Sequence, residues 1–243
     1  DVKWGTTNAT VTGTPSHTSF DANAPSIVSG AYNVTVVSNN YVSNSQTFTI
    51  DVIVTISNFV SAEPGNSAIA PGASGQVDSF GLQTDNGTDT VSSVTVGIAP
   101  GMGQYIQTVA IIDNTDSVTY CSATPSGDSA SLSSCNIPVS ITNTQFKIKL
   151  TAKAHNLMPT PPGAEYAIAA TVTGFTNSGS QSGTDSGSST LTIDNLSPNN
   201  ATNISIFAGD ERVILNWTTS NSADFNTSVI LRWTAASAGS ETP

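Results

Sequence analysis

The most regular pattern in the chain is "QTFTIDVIVTI", Gln46 to Ile56. Phe48, Ile50, Val52, Val54 and Ile56 recur at every second position, with mainly Thr47, Thr49, Asp51 and Thr55 between them. Successive side chains of an extended chain point to opposite faces, so a period of two predicts a half-buried strand. "YNVTVV" (Tyr32 to Val37) is the expected hairpin partner, joined through "SNNYVSNS". "TQFKIKLTAKAH" puts Phe146, Ile148, Leu150, Ala152 and Ala154 inward, and Lys147, Lys149, Thr151 and Lys153 on the other face. Tyr166, Ile168, Ala170 and Val172 share a face of a later strand. "QVDSFGLQT", "DTVSSVTVGI", "QYIQTVAIID", "SVTYC", "CNIPVSI" and "TLTID" read as strands as well. Asp85-Asn86-Gly87 is a strong turn signal, and "SAEPGNSAIAPGASG", the prolines at 159, 161 and 162 and "TNSGSQSGTDSGSS" mark connections. Helical periodicity is broken everywhere by Gly, Pro or β-branched residues. The pattern predicts about nine to eleven strands before Asp194.

The fold class expected is all-β, built from immunoglobulin-like or fibronectin-like β-sandwiches. Residues 1–31 read as an extended N-terminal arm, 32–195 as a large sandwich with one disulfide loop, and 196–243 as an incomplete further module.

That last assignment rests on "LSPNNATNISIFAGDERVILNWTTSNSADFNTSVILRWTAA". A strand, "ATNISIF", is followed by a turn at Ala208-Gly209-Asp210 and a strand with Val213, Leu215 and Trp217 on one face. Val229, Leu231 and Trp233 alternate again after a polar loop. Ser197 to Pro243 resembles the fibronectin type III family of bacterial secreted proteins, matching its first three strands, with Trp217 where that family has its buried core tryptophan. The resemblance covers about a fifth of the chain, and residues 1–196 suggest no family as clearly. It implies a module of which about half is present, leaving Leu215, Trp217 and Leu231 without an opposing sheet. Either the remaining strands belong to a longer precursor or larger surface protein, or another polypeptide completes the fold. Strand complementation by a neighbour would use backbone hydrogen bonds, and "VKWGTTNATVTG", carrying Trp4, is a candidate donor.

Charge narrows the classes of partner. Six Lys plus Arg stand against 17 Asp plus Glu, a formal net charge of −11. Nucleic acids and anionic membranes both need a positive footprint, so neither is an expected partner. Lys147, Lys149 and Lys153 are half of all the basic residues. They read either as a solvated strand face, a Lys-protected edge included, or as a strip meeting an acidic surface on a neighbouring copy. With Trp4, Leu215, Trp217, Leu231 and Trp233 they form the candidate assembly set.

Cys121 and Cys135 flank "CSATPSGDSASLSSC", a span with little else to hold it folded. A disulfide there would contribute about 3 kcal/mol on the chain-entropy estimate and implies an oxidising compartment. The sequence carries no transmembrane run, and its polar start at Asp1 fits a mature secreted form. Asn8, Asn33, Asn86, Asn200, Asn203, Asn216 and Asn226 head Asn-x-Ser/Thr triplets and are candidate glycosylation sites. Asp85 and Asp89 in "DNGTD", and Asp113 and Asp116 in "DNTD", place oxygens in turns that could hold calcium. Asp and Asn capping their own backbone is the competing reading. Beyond calcium no cofactor is expected.

Catalytic chemistry has few carriers. His17 and His155 are the two histidines, and no zinc-ligand spacing, nucleophile elbow or phosphate loop occurs. An enzyme is not expected. The expected role is an extracellular structural subunit of a cell-surface filament, sheath or layer, a homo-oligomer or polymer. The alternative is a carbohydrate-binding or adhesive module of a larger secreted protein, meeting cell-surface glycans through exposed members of Tyr32, Tyr41, Tyr105, Tyr120 and Tyr166.

Overall fold

The computed structural model describes residues 2–4, 7–8, 10–12, 21–23, 30–38, 41–44, 46–158, 163–222 and 225–230. The side chains of Trp4, Phe48 and Ile50, and all of His17, Leu231 and Trp233, lie outside that description. The chain is all-β.

The N-terminal part holds β1 (Val2–Trp4), β2 (Thr7–Asn8), β3 (Thr10–Thr12), β4 (Asp21–Asn23), β5 (Gly30–Ser38), β6 (Tyr41–Val42) and β7 (Gln46–Ile50). β5 is the hub of a five-stranded sheet: β7 pairs with it antiparallel from Gly30↔Ile50 to Val34↔Gln46, and β1 pairs with it from Val2↔Val36 to Trp4↔Val34. β3 and β4 form a separate pair.

The long alternating run from Gln46 to Ile56 is not one strand. β7 ends at Ile50, and β8 (Val54–Asn58) begins a different sheet. The polar groups between them are held by loops instead of a ladder. The Asp51 carboxylate accepts from the N–H and hydroxyl of Ser180, the N–H of Ile53 donates to Asp85 Oδ1 at 2.9 Å, and the N–H of Val54 donates to the Ser180 carbonyl at 2.9 Å. The alternation of burial persists through the break, with Val52, Val54 and Ile56 all in the interior.

The sandwich continues with β9 (Ser67–Ile69), β10 (Ser74–Thr84), β11 (Thr88–Ile98), β12 (Ile106–Asp113), β13 (Thr119–Ala123), β14 (Ser129–Ser140), β15 (Thr144–Ala152), β16 (Glu165–Ile168), β17 (Ala170–Thr176), β18 (Gln181–Thr184) and β19 (Leu191–Asp194). One layer is a six-stranded sheet ordered β13-β12-β15-β10-β8-β18. The other is formed by the three-stranded sheets β14-β11-β17 and β16-β19-β9. Their inner faces share one core that includes Phe80, Leu82, Val94, Leu132, Ile137, Phe146, Ile148, Leu150, Ile168 and Leu191. Phe80 and Phe146 face each other across β10 and β15, with ring centroids 5.9 Å apart.

The turn signal is met, and one expectation needs correction. Asp85-Asn86-Gly87 does form a turn, with Gly87 at φ 61° and the Thr84 hydroxyl donating to its carbonyl. It joins β10 to β11, which lie in opposite layers, so the turn crosses from one sheet to the other. Ala154 is exposed because β15 ends at Ala152.

Beyond the sandwich, β20 (Thr202–Gly209) and β21 (Arg212–Thr218) form a two-stranded antiparallel ribbon turning at Asp210-Glu211.

Candidate functional site

The β20–β21 ribbon gathers the largest group of exposed apolar side chains among the described residues. The register sets Ile206 opposite Leu215 and Ala208 opposite Val213, so these four share one face. Trp217 lies two residues beyond Leu215 and joins that face, as Ile204 does beyond Ile206. A core strand would bury such a stripe. Here Ile204, Ile206 and Val213 are 66%, 67% and 66% exposed, and Trp217 is 37% exposed. The opposite face carries Phe207 and Ile214, paired with each other and also exposed. The only charges on the ribbon are Asp210, Glu211 and Arg212, all at its tip. Of the assembly candidates, Leu215 and Trp217 therefore lie on one open face; Leu231 and Trp233 fall outside the described residues, and Trp4 is placed by its backbone alone, in β1.

The lysine row is differently situated. β15 sits between β12 and β10, so Lys147 and Lys149 do not guard an edge, and Lys153 follows the strand's end. The turn after β12 folds over the row: Lys149 forms an ion pair with Asp116 at 2.8 Å, and Lys147 Nζ donates to the Asn114 carbonyl at 2.9 Å. That ion pair is the only one among the described residues.

Each calcium candidate has protein partners. The Asp113 carboxylate accepts from the hydroxyl of Thr115 and from the N–H groups of Ser117 and Val118 at 2.7 and 2.8 Å, which holds it well below the usual carboxylate range. Asp89 is buried, which alone would push its carboxyl up. Hydrogen bonds from the Ser178 hydroxyl at 2.6 Å, Asn177 Nδ2 at 2.9 Å and the Thr90 N–H at 2.7 Å outweigh burial and hold it low. Asp85 accepts from Ile53, and Asp116 binds Lys149. Among the described residues, no three His, Cys, Asp or Glu side chains are arranged to hold a metal ion.

Sequence reading passed over the most unusual group of side chains. Asn58 of β8, Asp78 of β10, Glu63 after the short 3-10 turn Val60–Ala62, and Asp185 after β18 come together at one end of the core. Asp78 is 0% exposed. The buried oxygens Asn58 Oδ1, Glu63 Oε1 and Oε2, Asp78 Oδ1 and Oδ2, and Asp185 Oδ1 have no donor at full hydrogen-bond geometry; the Ser79 N–H lies toward Asp78 and Glu63, and the Asn58 amide toward Glu63. The signal available was an aspartate inside "QVDSFGLQT", a run buried on both faces, with no base nearby in the sequence.

The disulfide Cys121–Cys135 is formed, with Cα atoms 4.6 Å apart. Both cysteines belong to the core cluster, on β13 and β14, and so they tie the two layers together along one edge. All seven candidate glycosylation asparagines are exposed. An eighth triplet, Asn195-Leu196-Ser197, is different: Asn195 is buried, and its Oδ1 lies 3.1 Å from His155 Nδ1. Tyr105 and Tyr166 stack with centroids 3.8 Å apart, and Tyr120 meets Phe146 edge-on, so these three tyrosines are engaged in packing.

No protein-family model matches this chain, and no curated protein matches it. Among solved structures, one chain of the crystallised CaDoc0917–CaCohA2 complex aligns with 59% of this chain and 99% of its own length, at 11% identity and a TM-score of 0.28. A likeness that slight carries no argument about fold or function. No helix of the described residues is long and apolar enough to cross a membrane.

Proposed function

We propose that the chain is an extracellular structural subunit of a cell-surface assembly, a filament, sheath or layer, which self-associates through β-strand and sheet contacts. The observation that carries this reading is the open apolar face of the β20–β21 ribbon. A solvated two-stranded ribbon with apolar residues on both faces is marginally stable alone and gains from burial against a third surface. The occupant proposed is a second copy of the same chain. Two molecules of net charge −11 repel one another, but this ribbon carries no charge away from its tip, so two copies can meet here without opposing carboxylates. The inter-layer disulfide fits an oxidising, extracellular setting. On this reading the fibronectin type III-like segment supplies the contact.

The rival reading, an adhesive or carbohydrate-binding module, needs an exposed aromatic platform. Tyr105, Tyr120 and Tyr166 are engaged in packing instead, which ranks it second.

Electron microscopy of the purified chain beside an Ile206→Asp variant tests the proposal. Ordered oligomers or polymers are expected for the parent chain and dispersed particles for the variant. Dispersed particles from both at high concentration would reject it.

A further inference from the structure

The carboxyl cluster at the end of the core calls for an account of its own. Counting by twos from Leu82 and Phe80 puts Asp78 on the core side of β10, and Asn58, directly opposite Phe80, faces the same way. Asp185 follows β18, which runs parallel to β8 in the same layer, yet its Oδ2 accepts the N–H of Val172 on β17 in the other layer, at 2.9 Å. Asp185 thus links the two sheets beside Asp78. The titratable groups facing Asp78 are Asp185 and Glu63; those facing Glu63 are Asp78 and Asp185, with the Asn58 amide beside it. None of the three acids is in a salt bridge.

Three carboxylates with buried oxygens and no counter-charge would repel strongly in a low-dielectric interior. A base does not relieve this, and the side chains are not arranged to hold a metal ion. A proton does relieve it. An ionised Asp78 and an ionised Asp185 have nothing to donate to each other, which leaves Asp78 Oδ1 and Oδ2 and Asp185 Oδ1 without a well-formed hydrogen bond. A single proton lets Asp78 donate and Asp185 accept while Asp185 keeps its bond to Val172.

We propose that Asp78 and Asp185 share a proton between the layers, with Glu63 and Asn58 around them, forming a clasp that holds in acid and loosens as the carboxyls ionise. Burial, the bond to Asp185 and the charges of Asp185 and Glu63 push the Asp78 carboxyl up to about 9. Burial likewise raises Asp185 and Glu63. In the unfolded chain these acids release their protons near pH 4. The folded state therefore binds more protons above that point, and stability falls as pH rises from about 4 through about 9. The sandwich is built to be firmer in mildly acidic surroundings than in alkaline ones.

The test is thermal melting of the full chain from about pH 5 to about pH 9, for the parent, Asp78→Asn and Asp185→Asn, each in EDTA and in added calcium. Asparagine at 78 can still donate to Asp185 but cannot ionise. The parent melting temperature is expected to fall by roughly 5 °C or more across that range. Asp78→Asn is expected to lose at least half of that slope and to melt higher at the alkaline end. An unchanged slope in Asp78→Asn would overturn the proposal. So would a calcium-induced rise in the parent that Asp78→Asn lacks, since a cation would then be the missing partner. Should Asp78→Asn fail to fold, Asp185→Asn gives the same slope reading. Infrared spectroscopy of the parent reads the proton directly: a protonated-carboxyl stretch at neutral pH is expected, and its absence overturns the clasp.

Discussion

Ile206 stands directly across from Leu215 in the β20–β21 ribbon, and Ile206 is left open to solvent. Inside the sandwich, a cross-strand apolar pair such as Phe80 and Phe146 is covered by the opposite layer. The same alternation, on an element with no such layer over it, produces a surface that favours association. Replacing Ile206 by Asp is therefore expected to leave the sandwich intact. Its melting temperature should shift by no more than about 2 °C, as for other exposed substitutions. Association should be lost, which sedimentation of the variant and parent at matched concentration would read.

Removal of the disulfide is expected to act on stability throughout the sandwich. Cys121 and Cys135 are separated by 14 positions and join the edge strands of the two layers. Closing a loop of that size contributes about 3 kcal/mol, so reduction or Cys121→Ser with Cys135→Ser should lower the melting temperature by roughly 6–12 °C. Calorimetry with and without reductant measures this. A shift below about 1 °C would mean that β13 and β14 hold their places without the bond.

Acid should have the opposite effect to the one argued for Asp78. Hydrogen bonds hold the Asp89 carboxyl low, so its stabilising contribution is present above the unfolded carboxylate range and is lost as pH falls through its folded value. Asp113 and Asp128, held low by the Thr115 hydroxyl and by the N–H groups of Gly101 and Gly103, add to the same limb. Combined with the raised Asp78, this predicts a stability maximum on the mildly acidic side of neutral, near pH 4–5, and not at pH 7. Denaturant midpoints collected across the pH range test it, and Asp89→Asn should flatten the acid limb alone.

Much of the fold was legible from period two. Phe146, Ile148, Leu150 and Ala152 are buried in turn along β15, and Val52, Val54 and Ile56 along the segment entering β8. What the pattern could not say is which sheet a strand joins. Gln46 to Ile56 alternates without interruption, yet its ladder partners change after Ile50, where Asp85 and Ser180 from distant loops accept the N–H groups of Ile53 and Val54. The lysine row read as a solvated face, a guarded edge included, or as a contact strip, because local sequence does not reveal the number of neighbours a strand has. Asp113 and Asp116 were identified as turn residues, but the ion pair to Lys149 depends on a turn folding back across the sheet. Asp78 was the clearest omission. It keeps the alternation of Phe80 and Leu82 and so lies on the core side, but the acids that meet it there, Glu63 and Asp185, come from distant segments that local sequence does not bring together.

Hydrogen exchange of the β20–β21 amides, followed as a function of protein concentration, tests the self-association claim most directly. If copies meet on this ribbon, protection of residues 202–218 should rise with concentration, while that of β10 and β15 stays constant. Concentration-independent exchange in the ribbon, in samples that nonetheless form larger particles, would place the contact elsewhere and contradict the account.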